Sequence, residues 1–241
     1  MKTRIFILIT IAVFLIAAEQ ANAQDSDGNL TAAAGVIEPV GLDSTVTTQG
    51  GATAVFDFTL TDGGGGDALA LDVTQVVLHY SGSGGDALLL KVDWRLNGPD
   101  AVNAVGTVNT IADTITFAGL TVSVVEGDSE IYTVSAFYND NTGLTEDQTI
   151  IVSIDGDTAD LTVGGGGTQM GATTPVNNGT GSTVDIIATQ LAFIQQPAPL
   201  AATSGTLLDF GTDPTVEAQD AVGNKDTDYT AAVTLSETGA G

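Results

Sequence analysis

Between Asp113 and Asp155 apolar residues alternate with small or polar ones in four short runs: Ile115 and Phe117; Leu120, Val122 and Val124; Tyr132, Val134, Ala136 and Tyr138; Ile150, Val152 and Ile154. A period of two places one set of side chains on a core face and the other toward water, the signature of half-buried strands. Turn chemistry separates the runs at Ala118-Gly119, at Glu126-Gly127-Asp128 and over Asn139 to Gly143. The same alternation occurs upstream. Phe56, Phe58 and Leu60 form one strand, Val76, Leu78 and Tyr80 another, and Val92, Trp94 and Leu96 a third. Leu71 and Val73 fall on the opposite parity to Val76, which predicts a β-bulge or a doubly buried strand near Thr74. Val102 to Val108 reads as a short edge strand, Gly63–Gly66 as a flexible surface loop, and Asp160 to Val163 as one more short strand before a second glycine run, Gly164–Gly167. After the N-terminus no segment of ten or more residues shows a helical period. Short strands with turn signals about every ten residues indicate an antiparallel sandwich.

The N-terminus has a different pattern. Lys2 and Arg4 precede an apolar run from Ile5 to Ala18, followed by Ala21-Asn22-Ala23. This is the layout of a secretory signal peptide over residues 1–23, with cleavage between Ala23 and Gln24. About fourteen apolar residues fall short of the roughly twenty that span a bilayer. The mature chain is therefore expected outside the cytoplasm, secreted or at the cell surface, with no membrane span. It contains no cysteine, so core burial and backbone hydrogen bonds must hold it together without disulfides. Residues 24–50 read as a polar lead-in or edge strand, and 36–187 as one complete β-sandwich domain.

Charge narrows the partners. The whole chain carries −25. Removing the first 23 residues leaves 29 acids against Lys91, Arg95 and Lys225, a net −26. Such a surface repels nucleic acid and anionic membranes, whose binders cluster Lys and Arg, so a nucleic-acid partner is excluded. A hydrophobic fraction of 43% with regular alternation argues for folded β structure rather than disorder.

From Gln190 the text changes. The order LAFIQQP, PTVEAQDAVGN and YTAAVTLS predicts strands at Leu191–Phe193, Thr215–Gln219 and Ala231–Leu235, with a turn at Ala221–Asn224. This segment, residues 190–241, resembles the opening half of a bacterial immunoglobulin-like repeat, the kind strung in tandem in large secreted adhesins and surface-filament proteins. It covers about a fifth of the chain. Residues 52–187 resemble, more loosely, the modules that precede such repeats. The resemblance implies an all-β protein: an Ig-like antiparallel β-sandwich followed by the N-terminal half of a second one. An Ig-like domain takes roughly 100 residues, so this one is expected to continue beyond Gly241. The resemblance also implies a non-enzymatic, secreted or cell-surface structural or adhesive module, with neighbouring repeats of the same protein and a surface, polysaccharide or protein ligand as partners. The alternative is a carbohydrate- or calcium-dependent binding module. A third reading, a secreted hydrolase, lacks a visible site.

Candidate chemistry is sparse. His79, the one histidine, lies on the opposite parity to Leu78 and Tyr80 and is expected to face solvent without a catalytic role. Trp94 shares parity with Val92 and Leu96, which favours a core position over a sugar-stacking platform. No cofactor is expected, calcium apart. Ca²⁺ takes six to eight oxygens from carboxylates, amides, carbonyls and water. The candidate clusters are Asp155, Asp157 and Asp160; Asn139, Asp140 and Asn141; and Asp220, Asn224 and Asp226 with Asp228. None matches a known calcium-loop spacing. Asp, Asn and Gly also make hairpin turns, and that reading is preferred, with diffuse cation screening of the acidic surface.

Overall fold

The structure is a computed structural model that describes residues 24–196 and 214–234. The expected signal peptide and Ala23 lie outside the described residues, as does Leu235. In chain order the strands are β1 (Asn29–Ala32), β2 (Val40–Asp43), β3 (Thr53–Thr61), β4 (Leu71–Ser81), β5 (Val92–Asn97), β6 (Asn103–Val105), β7 (Thr107–Asn109), β8 (Thr114–Val124), β9 (Ser129–Tyr138), β10 (Thr149–Ile154), β11 (Leu161–Val163), β12 (Val176–Asn177), β13 (Ser182–Asp185), β14 (Gln190–Gln195) and β15 (Thr215–Gln219). One short helix, α1 (Gly85–Leu89), follows β4 and buries Leu88 and Leu89. The chain is thus almost entirely β. A five-stranded sheet runs β1-β3-β9-β5-β6, and an eight-stranded sheet runs β2-β13-β10-β4-β8-β7, with β11 beside β4 and β12 beside β10.

The two sheets share one apolar core. The alternation names its members: Val92, Trp94 and Leu96 of β5 are buried while Asp93 and Arg95 are only partly so, and Ile150, Val152 and Ile154 of β10 repeat the pattern. Trp94 is 1% exposed, a core residue. Phe58 stacks on Tyr132 across β3 and β9 with ring centroids 5.9 Å apart.

Four features differ from the expectations. First, Ala118-Gly119 is a bulge inside the single strand β8 and not a turn. Val73 faces Val122 whereas Gln75 faces Ala118, so β8 spends two more residues than β4 on this step. The slip returns Leu120, Val122 and Val124 to the face that Ile115 and Phe117 occupy, and it lies opposite Thr74, as the parity break in β4 requires. Second, the segment read as one edge strand divides between the sheets. β6 pairs with β5 and β7 pairs with β8, and Gly106 is the crossing point. Third, the eight-stranded sheet is mixed rather than purely antiparallel, because β2 and β13 run parallel. Fourth, the polar lead-in already contributes to the fold. β1 pairs with β3 through fully buried Leu30, upstream of residue 36 where the domain was expected to begin. Gly35 and Val36 also donate their amides to Asp57 at 2.7 and 3.1 Å, which buries a carboxylate that alternation places on the outer face.

Beyond the shared core, β14 and β15 pair antiparallel, and Ala221–Asn224 is the expected turn. Residues 231–234 are not a strand. Among the described residues it has no partner strand to hold an extended ladder. The faces of β14 and β15 leave Leu191, Phe193, Ile194 and Val216 exposed.

Gly106 and Trp94 give two outcomes to measure by urea unfolding. A Cβ at Gly106 would lie 2.8 Å from Trp94 Cβ, 2.9 Å from Ile115 Cγ2 and 2.9 Å from Phe117 Cε1. Gly106→Val is therefore expected to cost about 1–3 kcal/mol through overpacking. Trp94→Ala is expected to cost about 3–5 kcal/mol through the cavity it leaves. A neutral result for either would contradict the packing described.

Candidate functional site

The carboxylates expected to gather around Asp155 do so. Ligand oxygens of Asp155, Asp157 and Asp160 lie within 4.8 Å of one another, at the turn that ends β10. The turn also explains them. Asp157 Oδ1 accepts from the amides of Ala159 at 2.8 Å and Asp160 at 3.1 Å, and Asp160 Oδ2 accepts from the Asp155 amide at 2.9 Å. Asp160 is 2% exposed, and burial pushes its carboxyl above the ordinary range against the hydrogen bonds it accepts.

Its second oxygen meets a residue the sequence did not connect to it. His79 Nε2 stands 2.9 Å from Asp160 Oδ1. His79 does face solvent, its ring half exposed, but it is also held by a buried carboxylate. The pairing joins β4 to a turn 81 residues later in the chain, so no local motif could announce it. A carboxylate on one ring nitrogen selects the imidazole tautomer. Among the described residues no hydroxyl is hydrogen-bonded to the other nitrogen.

The remaining candidates act as turn and junction residues. Asp140 binds Lys91 Nζ at 2.8 Å and caps the Thr142 amide at 2.9 Å; these contacts, led by Lys91, hold its carboxyl well below the usual range. Asn139 Nδ2 donates to Asp93 at 2.8 Å, and Asn141 Nδ2 donates to the Ser44 carbonyl at 2.9 Å. Asp220 accepts from the amides of Val222 at 3.1 Å and Asn224 at 2.9 Å, and from Asn224 Nδ2 at 2.7 Å. Asn224 in turn accepts from the Leu144 amide at 2.9 Å and donates to the Asn141 carbonyl at 2.6 Å. Asp226 Oδ2 accepts from the Ala188 amide at 3.0 Å. This cluster joins the β14–β15 hairpin to the Asn141–Leu144 loop of the main core rather than converging on one point.

The acids at Asp25, Asp27, Asp62 and Asp67 were not among the candidates. They lie far apart in the sequence yet close together in the fold. The Asp25 amide donates to Asp67 at 3.1 Å, and burial, then Asp27, then Asp67 and Asp62 push the Asp25 carboxyl up to about 6. The only local signal was the glycine run between Asp62 and Asp67. It was read as a flexible loop, but Gly63 and Gly65 pack directly against Asp25 and Asp27.

The structure contains no deep apolar chamber at any of these places. The open clefts, of about 270 to 440 Å³, lie along β14–β15, between β6 and β8, and between β1 and β12. No helix among the described residues is long and apolar enough to cross a membrane.

No protein-family model matches the chain, and no curated protein matches it. Among solved structures it is similar to that of AvmM, which catalyses macrocyclization in alchivemycin A biosynthesis. The TM-score is 0.33 and the identity 11%, over 72% of this chain and 91% of that one. The expectation of a chain without enzymatic activity finds no support in this match, since the matched structure belongs to an enzyme. At that TM-score the likeness carries no argument for any particular reaction.

The raised carboxyls set the pH dependence of stability. Asp25, Asp62, Glu146, Asp160 and Asp185 all hold their protons more tightly folded than unfolded, with burial the leading cause in each. The folded state therefore takes up protons first as pH falls, and stability rises through the window from about 6 down to the ordinary carboxylate range. Asp140 and Glu217, whose carboxyls are lowered, oppose this only at more acidic pH. In chelator-treated buffer the melting temperature should be higher at pH 5 than at pH 7. A lower value at pH 5 would refute the burial assigned to these groups.

Proposed function

We propose that the chain is a load-bearing module of a secreted, surface-attached bacterial protein: an Ig-like β-sandwich that carries the start of a second such unit in a tandem array. The resemblance of residues 190–241 to bacterial immunoglobulin-like repeats supports this reading, as do the signal-peptide pattern of residues 1–23 and a strongly acidic chain that keeps neighbouring copies apart.

One observation carries it. β2, near the N-terminal end, and β13, at the C-terminal end of the main core, pair in parallel, with Val40 beside Ser182 and Asp43 beside Asp185. Tension entering before β2 and leaving after β13 pulls the two strands in opposite directions along their length. Their hydrogen bonds then carry the force together instead of parting one at a time. Ser44 and Ile187 extend the seam: the Ser44 amide donates to the Asp185 carbonyl at 2.8 Å, and Ser44 Oγ accepts from the Ile187 amide at 3.2 Å. The second reading, a calcium-dependent binding module, is favoured by the grouping of Asp155, Asp157 and Asp160. A carbohydrate platform on Trp94 is disfavoured by its burial.

Single-molecule pulling tests the mechanical reading. Handles on Ile37→Cys and Ile187→Cys, exposed positions just before β2 and just after β13, load the β2–β13 pair lengthwise. Handles on Asp43→Cys and Asp185→Cys, two partly exposed partners in register, peel it from one end. The unfolding force is expected to be several-fold higher in the first geometry. Equal forces would overturn a load-bearing role for this pair.

A further inference from the structure

Two segments of the chain carry the acceptor pattern for N-linked glycosylation, an asparagine followed after one residue by serine or threonine. They are Asn29-Leu30-Thr31 and Asn178-Gly179-Thr180. A pattern this short is common by itself, so the fold has to tell an acceptor from a bystander. It separates these two sharply. Asn178 is 1% exposed. Its Oδ1 accepts from the Val152 amide at 2.9 Å, its own amide donates to the Val152 carbonyl at 3.1 Å, and its carbonyl accepts from the Gly181 amide at 2.7 Å. That carboxamide is spent on holding β10, and a sugar on it would displace the contact.

Asn29 is the opposite case. It opens β1, the outermost strand of the five-stranded sheet, whose ladder partner is β3. Leu30 points into the core and is fully buried, so Asn29 and Thr31 share the outer face, and both are exposed. Opposite them on β3 stand the short side chains of Thr61 and Thr59, and Thr61 Oγ1 is engaged with Ser129 Oγ at 2.8 Å. Among the described residues neither the Asn29 carboxamide nor the Thr31 hydroxyl is tied up in a hydrogen bond. Beside them an open cleft of about 330 Å³ runs between β1 and β12, lined by Asn29, Thr31, Ala172, Thr174 and Pro175. That is room for a first sugar outside the core.

The residue two positions before each asparagine differs as well. Asp27 precedes Asn29, whereas Val176 precedes Asn178. Asp27 offers a carboxylate that an arginine of a transferase can pair with, while Thr31 offers a hydroxyl on the other side of the acceptor. In the folded chain Asp27 is half-buried, and a Cβ at Gly63 would lie 2.8 Å from its Oδ2. An enzyme that reads Asp27 therefore meets residues 27–31 before β1 docks. The order of the chain favours this. Asn29 lies just past the expected cleavage point and is exported ahead of β3, the strand that will hold it.

We propose that Asn29 is the acceptor of an N-linked glycan, attached by a transferase that reads Asp27 and Thr31 on either side of it. Asn29 Nδ2 attacks the anomeric carbon of the first sugar in a polyprenyl-diphosphate-linked oligosaccharide. The carbon–nitrogen bond forms as the bond from that carbon to the diphosphate oxygen breaks. The polyprenyl diphosphate leaves with the electron pair, and one Nδ2 proton passes to a base of the enzyme. On the folded protein the glycan stands at the rim of the five-stranded sheet, where a bulky polar group blocks edge-to-edge pairing of β1 with another chain. The inference shares with the load-bearing reading only the expectation of export.

Expression of the full chain in a bacterial strain that carries a single-subunit oligosaccharyltransferase and its lipid-linked oligosaccharide tests it, read by intact-mass and peptide mass spectrometry. The expected result is a gain of one glycan on the peptide containing Asn29, absent from the same strain without the transferase. The peptide containing Asn178 should stay unmodified. Asn29→Gln and Thr31→Ala should each abolish the gain, and Asp27→Asn should lose most of it. Asn29→Gln should also melt as the unglycosylated parent does, since its side chain is exposed. The same spectra read the N-terminus and so report export. No glycan on a parent chain, exported or not, in cells that modify a control acceptor would overturn the proposal. So would a glycan kept in Asn29→Gln, one mapped to Asn178, or full modification of Asp27→Asn.

Discussion

One apolar layer, closed from both sides by sheets that differ in size, carries the structure. The chain has no cysteine to staple it, and its acids outnumber its bases 30 to 5, so side-chain charges repel far more than they attract. The described ion pairs of Lys91 with Asp140 and Lys225 with Glu217 sit at partly exposed positions, where such pairs contribute little. Contact between the sheets therefore matters most, and it is tightest at Gly106. There the backbone passes from one sheet to the other against Trp94, Ile115 and Phe117, and only a residue without a side chain fits. Everything outside the layer is placed by how it reaches this core.

An acid-rich fold must also decide what to do with each carboxylate that its own strands bury. Three solutions coexist. Asp57 is covered by the lead-in and answered by two amides; Asp160 is answered by an amide and an imidazole; Asp62 is answered by nothing that meets hydrogen-bond geometry. The contrast separates the three sites. In the first two, charge is part of the local folding pattern. In the third, Asp62 is buried without such a partner, and burial holds its carboxyl above the ordinary range.

The strands were legible because a period of two is a local property. Val92, Trp94 and Leu96, or Ile150, Val152 and Ile154, declare their buried face within six residues. Even the bulge opposite Thr74 was visible, as a change of parity within one strand. What alternation cannot convey is which distant segment covers an outward-facing residue. Asp57 reads as solvent-facing until residues 35–36 fold over it, and the partner of solvent-facing His79 arrives only with the turn after β10. The Gly63–Gly66 run is an exposed loop, as its composition predicts, but its packing partners are distant in the sequence. Four glycines look like slack when nothing nearby needs the space. Gly63 and Gly65 owe their lack of side chains to Asp25 and Asp27, nearly 40 residues earlier. The candidate calcium clusters were chosen by proximity in sequence, the criterion that hairpin turns also satisfy.

The Asn224 junction differs in kind from the rest of the molecule. The apolar core ends at Ile186, and the β14–β15 hairpin is held to the Asn141–Leu144 loop by the amide side chain of Asn224, with Asp226 on the Ala188 amide. A joint made of a few polar contacts has a sharp geometric optimum but little depth. It behaves as a latch: stiff while engaged, released by a small displacement, and re-formed without any core having to repack. Parting this joint would free the hairpin and leave the sandwich core intact.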